Sequence, residues 1–555
     1  MKINFLVFLI ITLCIACKKT DEPVIQPTPA ITALNCSSTT VSNAPLTGIE
    51  YAGTITVPYE GGNGAKYAQG SPVSSTGVVG LTAVLQAGTL TNSSGNLSYS
   101  ISGIASAAGT AAFDINFGTQ SCTLNLAVTQ NDTTQYGIPF QYVPDRQDAT
   151  IYQVNIRAFS TQGGLQGVTA RLDSIRALGV NVLYLMPTYP VGILNGVNSP
   201  YCVKDYKAVN PEFGNLADLR NLVDIAHDLN MSVILDWVAN HTSWDNAWIT
   251  THKDWYQQDA SGHIVSPPGT GWNDVAQLNF ANADMRLEMI ESMKYWVYAA
   301  NVDGFRCDYA NGPPAYFWKQ AIDSLRNIST HKLLLLAEGD RSDLFADGFD
   351  FTFGFNFYGK LKNIFKNNQA VTGLDNSNNS EFANASNGQQ VVRYLTNHDV
   401  NSSDGTALDL FGGKEGSMAA FVVVAYMKGV PMIYNGQEVG FPSRITFPFT
   451  SVNINWTLNP DITADYKKVI AFRNESEAIR RGQLTSYSTA DICAFTKTEG
   501  ADIVFVASNL RNAAKSFTLP ASVANSNWTD ALSGNAVTTT SKIDLGGYGY
   551  VVLKK

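Results

Sequence analysis

The stretch Gly304 to Asn311, Gly-Phe-Arg-Cys-Asp-Tyr-Ala-Asn, carries the residues best suited to chemistry. Arg306 and Asp308 lie two residues apart at the end of an apolar run that is typical of a buried strand. Side chains at that spacing point to the same face of a strand. A guanidinium beside a carboxylate favours its ionised form, and an ionised carboxylate held at a strand end can act as a nucleophile. Taken alone, an Arg-x-Asp pair is more commonly a buried structural ion pair.

Polar side chains also follow three other apolar runs of the chain. They are Asp236, Asn240 and His241 after Val233 to Leu235, Glu338 after Lys332 to Ala337, and His398 and Asp399 after Val391 to Leu395. Three carboxylates, those of Asp308, Glu338 and Asp399, thus come from three separate strand ends. Any one of them could be a strand-end cap, but their shared position favours one site.

The elements that must position these residues begin at about Ala149, where strand-like runs start to alternate with amphipathic helical stretches. We identify eight strand candidates: 151–156, 182–186, 233–236, 303–308, 332–338, 349–357, 391–395 and 430–434. Near-continuous apolar strands with intervening helices predict a parallel sheet covered on both faces. Eight such units predict a (β/α)₈ TIM barrel in an α/β catalytic domain, residues 145–482. Active sites of this fold lie at the carboxyl ends of its strands.

All-β sequence flanks the predicted barrel on both sides, so the 555 residues divide into about three domains. Short alternating runs rich in Thr, Ser and Gly predict an immunoglobulin-like N-terminal β-sandwich over residues 31–132 and a C-terminal β-sandwich over 483–555. Cys36 and Cys122 could form a disulfide in an oxidising compartment. The tyrosines of the first sandwich could stack on sugar, although packing is the commoner role; they are Tyr51, Tyr59, Tyr67 and Tyr99.

The N-terminus predicts export. Residues 1–17 have a basic start and an apolar core too short to span a bilayer, ending in Leu-Cys-Ile-Ala-Cys17. This ending resembles a bacterial lipoprotein processing box, with Cys17 as the lipidated residue and 18–30 as a Pro-containing linker. The alternative is an ordinary cleaved secretory signal. We expect a secreted protein, lipid-anchored at the outer membrane or cell surface.

Composition excludes one class of partner. The net charge of −9 carries no basic block, so nucleic acid is not expected.

The four strand ends together resemble the signature regions of the alpha-amylase superfamily, glycoside hydrolase family 13. Supporting matches are Ser-Pro-Tyr201 with Asp205-Tyr206 after the second strand, and Gly-Gln-Glu438 after the eighth. A further match, 274–279, falls in the insert after the third strand. The resemblance covers about Ala149 to the C-terminus and implies a retaining hydrolase of α-glucosidic bonds, mainly α-1,4, in starch-like glucans or maltooligosaccharides.

The resemblance implies a role for each candidate residue. Asp308 is implied as the nucleophile, Glu338 as the general acid/base and Asp399 as the third carboxylate, which stabilises the transition state. Arg306 is implied to hold Asp308 ionised. The implied substrate-binding residues are Tyr201 beneath the sugar, His241 and His398 on its hydroxyls, and Asp236, which would support His241.

The insert at about 242–275 bears on metal and linkage. It is shorter than in many members of the superfamily, and its tryptophans could offer sugar-stacking surface; they are Trp244, Trp248, Trp255 and Trp272. Asn240 occupies the position of a calcium ligand in calcium-dependent members, but few acids accompany it. We expect a weak Ca²⁺ site at Asn240 or none, with hydrogen bonds from Asn240 holding the loop instead. Gln277 stands where linkage preference is partly set, so α-1,4 and α-1,6 both stay open.

Alternative functions remain within this resemblance and outside it. A neopullulanase or cyclomaltodextrinase-type hydrolase, or a transglycosylase, would use the same covalent intermediate. A non-catalytic glucan-binding lipoprotein would be a different class, but such relatives lack the carboxylate triad that this sequence retains.

Overall fold

The computed structural model describes residues 27–42, 44–47, 49–129, 135–161, 163–450 and 452–555. The described residues up to 129 belong to one compact unit, and those from 135 onward belong to a second. The predicted signal sequence 1–17 with its Cys17, and most of the predicted linker 18–30, lie outside the described residues. No helix within these ranges is both long enough and apolar enough to cross a bilayer.

The first unit is built from antiparallel sheets around its own apolar core. The larger sheet has the spatial order Ala33–Leu34, Glu50–Glu60, Gly95–Ile104, Leu81–Leu85 and Val73–Ser74, with Thr40–Val41 beside Glu50–Glu60. The others are Gln120–Val128 with Gly109–Phe117 and Thr76–Gly77, and Lys66–Tyr67 with Gly88–Thr89. Alternate side chains of Gly95–Ile104 are buried, as expected for a strand with one face on the core.

Two predictions for this unit are confirmed. Cys36, in the 3₁₀ turn Cys36–Ser38, forms a disulfide with Cys122 of the second sheet, with the Cα atoms 6.0 Å apart. The tyrosines are packing residues: Tyr51, Tyr59 and Tyr99 are buried, and Tyr67 packs edge-on against Phe117.

The second unit contains the predicted closed barrel of eight parallel strands. They are β1 (Ile151–Val154), β2 (Val182–Leu185), β3 (Ser232–Trp237), β4 (Gly304–Cys307), β5 (Leu334–Ala337), β6 (Phe351–Phe353), β7 (Gln390–Tyr394) and β8 (Val430–Tyr434). Strand β8 closes on β1, with Met432 opposite Ile151. Every residue of these eight strands is buried, which explains their continuous apolar runs.

Helices cover the barrel and fill its connections. They are Ile156–Phe159, Gly164–Thr169, Leu172–Arg176, Leu216–Asp228, Trp248–Thr251, Ala283–Ala300, Ala315–Arg326, Leu344–Asp347, Phe355–Lys366, Gly373–Glu381, His398–Ser403, Ala407–Leu410, Gly413–Tyr426, Pro460–Glu475 and Glu477–Arg481. Short 3₁₀ turns span Arg146–Asp148, Lys253–Trp255 and Gln437–Val439.

The sixth strand is shorter than predicted. It ends at Phe353, and the helix Phe355–Lys366 starts where the sequence suggested more strand. The Glu381 carboxylate accepts hydrogen bonds from the backbone N–H groups of Asn356 (2.8 Å) and Phe357 (3.1 Å). A carboxylate at those free amides stabilises a helix start.

In the insert after β3, His241–Ser243 and Val275–Gln277 pair as a two-stranded hairpin, with the helix Trp248–Thr251 and the 3₁₀ turn Lys253–Trp255 between them. The C-terminal sheet has the order Gln483–Ser486, Ile492–Glu499, Asp502–Asn509, Tyr550–Lys554, Asn527–Asp530 and Ala536–Thr538, and Lys515–Thr518 pairs with Lys542–Leu545. Cys493 and Phe495 belong to the barrel core, whereas Ile492 and Ala494 belong to the core of the C-terminal sandwich. One face of this sheet therefore packs on the barrel.

Candidate active site

The carboxyl ends of the barrel strands converge on a cleft of about 430 Å³. Its lining includes predicted site residues from five separate connections: Tyr201, His241, Asp308, Glu338, His398 and Asp399. Trp272 also lines this cleft and is 37% exposed, the one of the four insert tryptophans that does so. The structure thus brings together side chains that lie up to 198 positions apart in the chain.

Arg306 joins three carboxylates beneath the cleft. Its Nη1 donates to Asp236 Oδ1 (2.7 Å) and to Asp308 Oδ1 (3.0 Å), and its Nη2 lies 2.9 Å from Glu338 Oε2. The guanidinium is 1% exposed, so these contacts form away from solvent. Two acids held by adjacent nitrogens of one guanidinium are compatible with the separation of about 5 Å that retaining glycosidases use.

The charge of this group is set by burial as well as by Arg306. Burial raises the pKa of Asp236 and raises the pKa of Asp308 well above its usual range, although Arg306 opposes both shifts. The nearby carboxylate of Glu338 raises the pKa of Asp308 further. That Arg306 holds Asp308 ionised stays a prediction, which the contact at 3.0 Å supports. A single guanidinium serves several acids, so its effect on the pKa of each is shared among them.

Glu338 has two donors on the same oxygen. Its Oε2 contacts Arg306 Nη2 and accepts the backbone N–H of Tyr309 at 2.9 Å. Neither donor engages Oε1. Tyr309 has φ +41°, a left-handed backbone conformation that is uncommon for a bulky residue and frequent at functional sites.

Asp236 does not support His241 as predicted. Its Oδ2 accepts hydrogen bonds from the hydroxyls of Tyr184 (2.6 Å) and Tyr201 (3.1 Å), and its Oδ1 accepts from Arg306. The reason is strand geometry: Asp236 lies inside β3 and points into the barrel, whereas His241 lies on the hairpin beyond it.

Both histidines are buried and neutral near pH 7. Burial lowers the pKa of His241 to about 4, and burial together with Arg306 lowers that of His398 to about 4. The His241 ring lies 5.5 Å from Trp272, which in turn lies 5.0 Å from the ring of Tyr309. His398 Nε2 is 2.8 Å from the Tyr201 hydroxyl and 3.3 Å from Asp399 Oδ1. Asp399 itself is 58% exposed at the cleft mouth.

Several residues of the site were not predicted. Gln153 on β1 contacts His398 Nδ1 at 2.8 Å, and Tyr184 on β2 holds Asp236. Tyr309 adds a ring to the cleft wall and a backbone donor to Glu338. The sequence signal that could have identified these three residues is their position, because each is a polar or aromatic residue in or beside a barrel strand.

The geometry at Asn240 does not fit a calcium site. Its Nδ2 donates to Gln277 Oε1 (3.1 Å), while Gln277 Nε2 donates to the backbone oxygen of Asn240 (3.0 Å) and lies 3.3 Å from its Oδ1. The amide oxygen that would bind calcium therefore faces a second amide. Over the described residues, no group of three or more His, Cys, Asp or Glu side chains is arranged to hold a metal ion.

Barrel, cleft and carboxylates together define a glycoside hydrolase. The family model described as the alpha amylase catalytic domain matches residues 128–273 and 269–477. The chain belongs to the alpha-amylase family.

The chain resembles both amylases and cyclodextrin-cleaving enzymes. It is 25% identical over 487 residues to alpha-amylase 3 of Dictyoglomus thermophilum, covering 74% of this chain and 94% of that relative. It is 26% identical over 384 residues to a cyclomaltodextrinase of Thermoanaerobacter pseudethanolicus, covering 62% and 63%. The crystal structure of an alpha-amylase from Lactobacillus plantarum matches 74% of this chain and 99% of its own, with 27% identity and a TM-score of 0.67.

Proposed function

We propose that this chain hydrolyses α-1,4 bonds of maltooligosaccharides and related glucans, cyclic ones included, with retention of the α configuration. The observation that carries the proposal is the Arg306 guanidinium, which holds Asp308 and Glu338 on adjacent nitrogens at the cleft floor. That arrangement supplies a nucleophile and an acid within reach of one glycosidic bond.

In the first step, Asp308 attacks the anomeric carbon while Glu338 protonates the departing oxygen. The proton that the general acid delivers is assigned to Glu338 Oε1, because both donors to this side chain occupy Oε2. Before the attack, Arg306 Nη1 stabilises the ionised Asp308. The products are a β-linked glycosyl-enzyme and a free reducing-side fragment.

In the second step, Glu338 Oε1 removes a proton from water, which attacks the anomeric carbon and releases Asp308. Two inversions give net retention. Asp399, His241 and His398 are assigned to the hydroxyls of the sugar undergoing reaction, where contacts that strengthen in the transition state raise turnover.

Cyclomaltodextrinase-type specificity is the favoured form of this activity. The relatives include a cyclomaltodextrinase, and Trp272, Asp274 and Val275 of the insert after β3 line the cleft. Trp272 and Tyr309, whose rings meet at an interplanar angle of 75°, form a bent wall suited to a curved glucan. Starch hydrolysis, α-1,6 cleavage and transglycosylation are the competing outcomes.

Product analysis on soluble starch, pullulan and cyclodextrins in parallel decides among them. Faster turnover of cyclodextrins than of starch supports the favoured form. Faster turnover of starch supports a simple amylase. Panose or isopanose among the products of pullulan identifies the linkage that the enzyme cleaves. Products longer than the substrate show that the enzyme transfers the glycosyl group to another sugar.

The mechanism is tested with Asp308→Asn and Glu338→Gln. Each should lower turnover on the order of 10³-fold or more while substrate binding is retained. Asp259→Asn and Glu291→Gln, both exposed acids, are matched controls that should keep full activity. NMR of the first-formed reducing sugar should show the α anomer; an initial β anomer would overturn Asp308 as nucleophile.

We also propose that the protein is exported and lipid-anchored through Cys17. The disulfide Cys36–Cys122 supports export, because structural disulfides persist in oxidising compartments. Intact-mass analysis of the membrane fraction should show a diacylglyceryl-modified protein beginning at Cys17. An unmodified mature N-terminus beyond Cys17 would refute the anchor.

A further inference from the structure

We propose that Gln153 is a positioning residue that fixes His398 as the Nε2–H tautomer and so keeps a hydrogen-bond donor aimed into the cleft. The sugar contact of His398 rests on the proposed function. The tautomer does not, because it follows from contacts within the protein.

The direction of the hydrogen bonds starts at Asp236. This carboxylate is bound by Arg306 at 2.7 Å and can only accept, so the hydroxyl proton of Tyr201 points to Asp236 Oδ2 at 3.1 Å. The Tyr201 oxygen is then left as an acceptor for its second neighbour, His398 Nε2, at 2.8 Å. A donor on Nε2 is required there, and in a neutral imidazole Nδ1 must then be an acceptor.

Gln153 supplies the donor that Nδ1 needs. Its Nε2 lies 2.8 Å from His398 Nδ1, and the side chain is fully buried on β1. Gln153 Oε1 has no hydrogen-bond partner among the described residues. An unpaired buried acceptor costs free energy. The contact between the Gln153 amide nitrogen and His398 Nδ1 therefore sets the orientation of this amide group.

The charged groups around His398 are compatible with a neutral ring. Arg306 disfavours its protonation, while Asp236 and Glu338 favour it, and Asp399 Oδ1 lies 3.3 Å from Nε2. The Phe449 ring packs edge-on against the His398 ring, with the two ring centroids 6.2 Å apart. The ring is 2% exposed, so water does not supply alternative partners freely.

The consequence for the reaction is a preset donor. In the substrate-free protein the Nε2 proton rests on the Tyr201 oxygen, and a sugar hydroxyl entering the cleft can take it over without any change of tautomer. A ring protonated on Nδ1 instead would offer a lone pair to that hydroxyl and would compete with Asp236 for the Tyr201 proton.

Histidine-selective ¹⁵N labelling of the full chain tests the tautomer directly, since the chain has only six histidines. His398→Gln assigns the His398 signal. Between pH 6 and 8 we expect a protonated Nε2 and an unprotonated Nδ1. A protonated Nδ1 in the unmodified protein would overturn the proposal, whatever the enzyme cleaves.

Two variants separate positioning from packing. In Gln153→Met the Nδ1 donor is lost, so His398 should show mixed tautomers and kcat should fall about tenfold with a smaller change in KM. In Gln153→Glu the carboxylate should raise the pKa of His398 by more than one unit while Nε2 stays protonated. The pH profile of kcat should therefore shift, and kcat should fall less at acidic pH than it does in Gln153→Met. Gln257→Met, at an exposed glutamine, is the control.

The outcomes are distinguishable. Unchanged tautomer and kcat in Gln153→Met would overturn the positioning role. Should that variant fail to fold, the labelled unmodified protein and Gln153→Glu still decide. An enzyme inactive on every glucan would refute the proposed function and leave the tautomer result standing.

Discussion

Asp236 makes no bond to substrate in the proposed reaction, yet its oxygens gather Arg306, Tyr184 and Tyr201. Asp236→Asn would turn an amide donor toward groups that are themselves donors. We expect kcat/KM to fall on the order of 100-fold, because small displacements of catalytic groups cost about that much. Initial rates on maltooligosaccharides measure it. Activity within threefold of the unmodified enzyme would show that this acid is dispensable.

His241 and His398 give the stability a pH dependence whose sign follows from their burial. Their pKa values fall from 6.5 to about 4 on folding. Between pH 6.5 and 4 these two imidazole rings are therefore protonated in the unfolded chain but neutral in the folded chain. The free energy of unfolding should therefore decrease as pH falls through this window, by about 3 kcal/mol for each histidine.

Urea unfolding at pH 7 and pH 4.5 measures this effect. His241→Gln should lose less stability on acidification than the unmodified chain. His263, whose side chain is 78% exposed, is the control, and His263→Gln should lose as much stability as the unmodified chain. The comparison between variants removes the opposing contribution of Glu438, whose pKa burial raises to about 7. Equal losses in all three proteins would contradict burial of His241 in the neutral form.

At the scale of elements, the hairpin after β3 is held by the side-chain amides of Asn240 and Gln277. Asn240 donates a hydrogen bond to Gln277, and Gln277 donates one to Asn240. In the hairpin, Gln277 lies directly opposite His241, the residue that follows Asn240. We expect chelator to shift Tm by no more than about 1 °C, because the side-chain oxygen of Asn240 faces the Gln277 amide. Tm is measured by calorimetry with and without EDTA.

Removing the amide should matter more than removing calcium. Gln277→Ala should cost about 1–3 kcal/mol, because buried polar groups of Asn240 lose their partners. Gln257→Ala, at an exposed position of the same insert, is the control. Complete loss of activity in chelator would refute the amide-held hairpin.

Lys497 lies on the strand Ile492–Glu499, on the face that carries Cys493 and Phe495 into the barrel core. Burial, together with Arg473 and Lys428, lowers its pKa to about 7. Because the unfolded side chain titrates near 10.5, this burial destabilises the fold below pH 7 and the penalty disappears as pH rises to 10.5.

Lys497→Met should therefore stabilise the protein on the order of 3 kcal/mol at pH 7, and by much less at pH 10. Lys542→Met, on an exposed part of the same sandwich, should change little. Thermal unfolding at both pH values measures the difference. A destabilised Lys497→Met would show that the ammonium group has a partner worth more than its desolvation.

Sequence periodicity predicted the eight barrel strands because buried parallel strands are apolar on both faces, as β1 to β8 are. It extended β6 too far, since Glu381, a residue distant in sequence, sets the helix start at Phe355. The family resemblance gave Asp236 the wrong partner, because Asp236 lies within β3 and points into the barrel whereas His241 lies on the hairpin beyond it. Gln153 was missed because its meaning depends on His398, which lies 245 positions away.

At the scale of the whole molecule, the described residues form two compact units with separate apolar cores. Every predicted catalytic residue lies in the second unit, and the disulfide lies in the first. Separate cores predict separate unfolding transitions, and a defect in the first unit should leave the chemistry intact.

The disulfide offers a way to test that separation. Cys36 and Cys122 are 86 positions apart, and closing a loop of that size stabilises a fold by roughly 4 kcal/mol in the chain-entropy model. The other cysteines among the described residues, Cys202, Cys307 and Cys493, are free thiols, so among these residues a reductant acts on this disulfide alone. Reduction, or the double change Cys36→Ala and Cys122→Ala, should lower one calorimetric transition by many degrees. The second transition and kcat on maltooligosaccharides should stay unchanged. A single transition that shifts as a whole would mean that the two units unfold cooperatively, and a parallel loss of kcat would mean that the first unit supports the catalytic cleft.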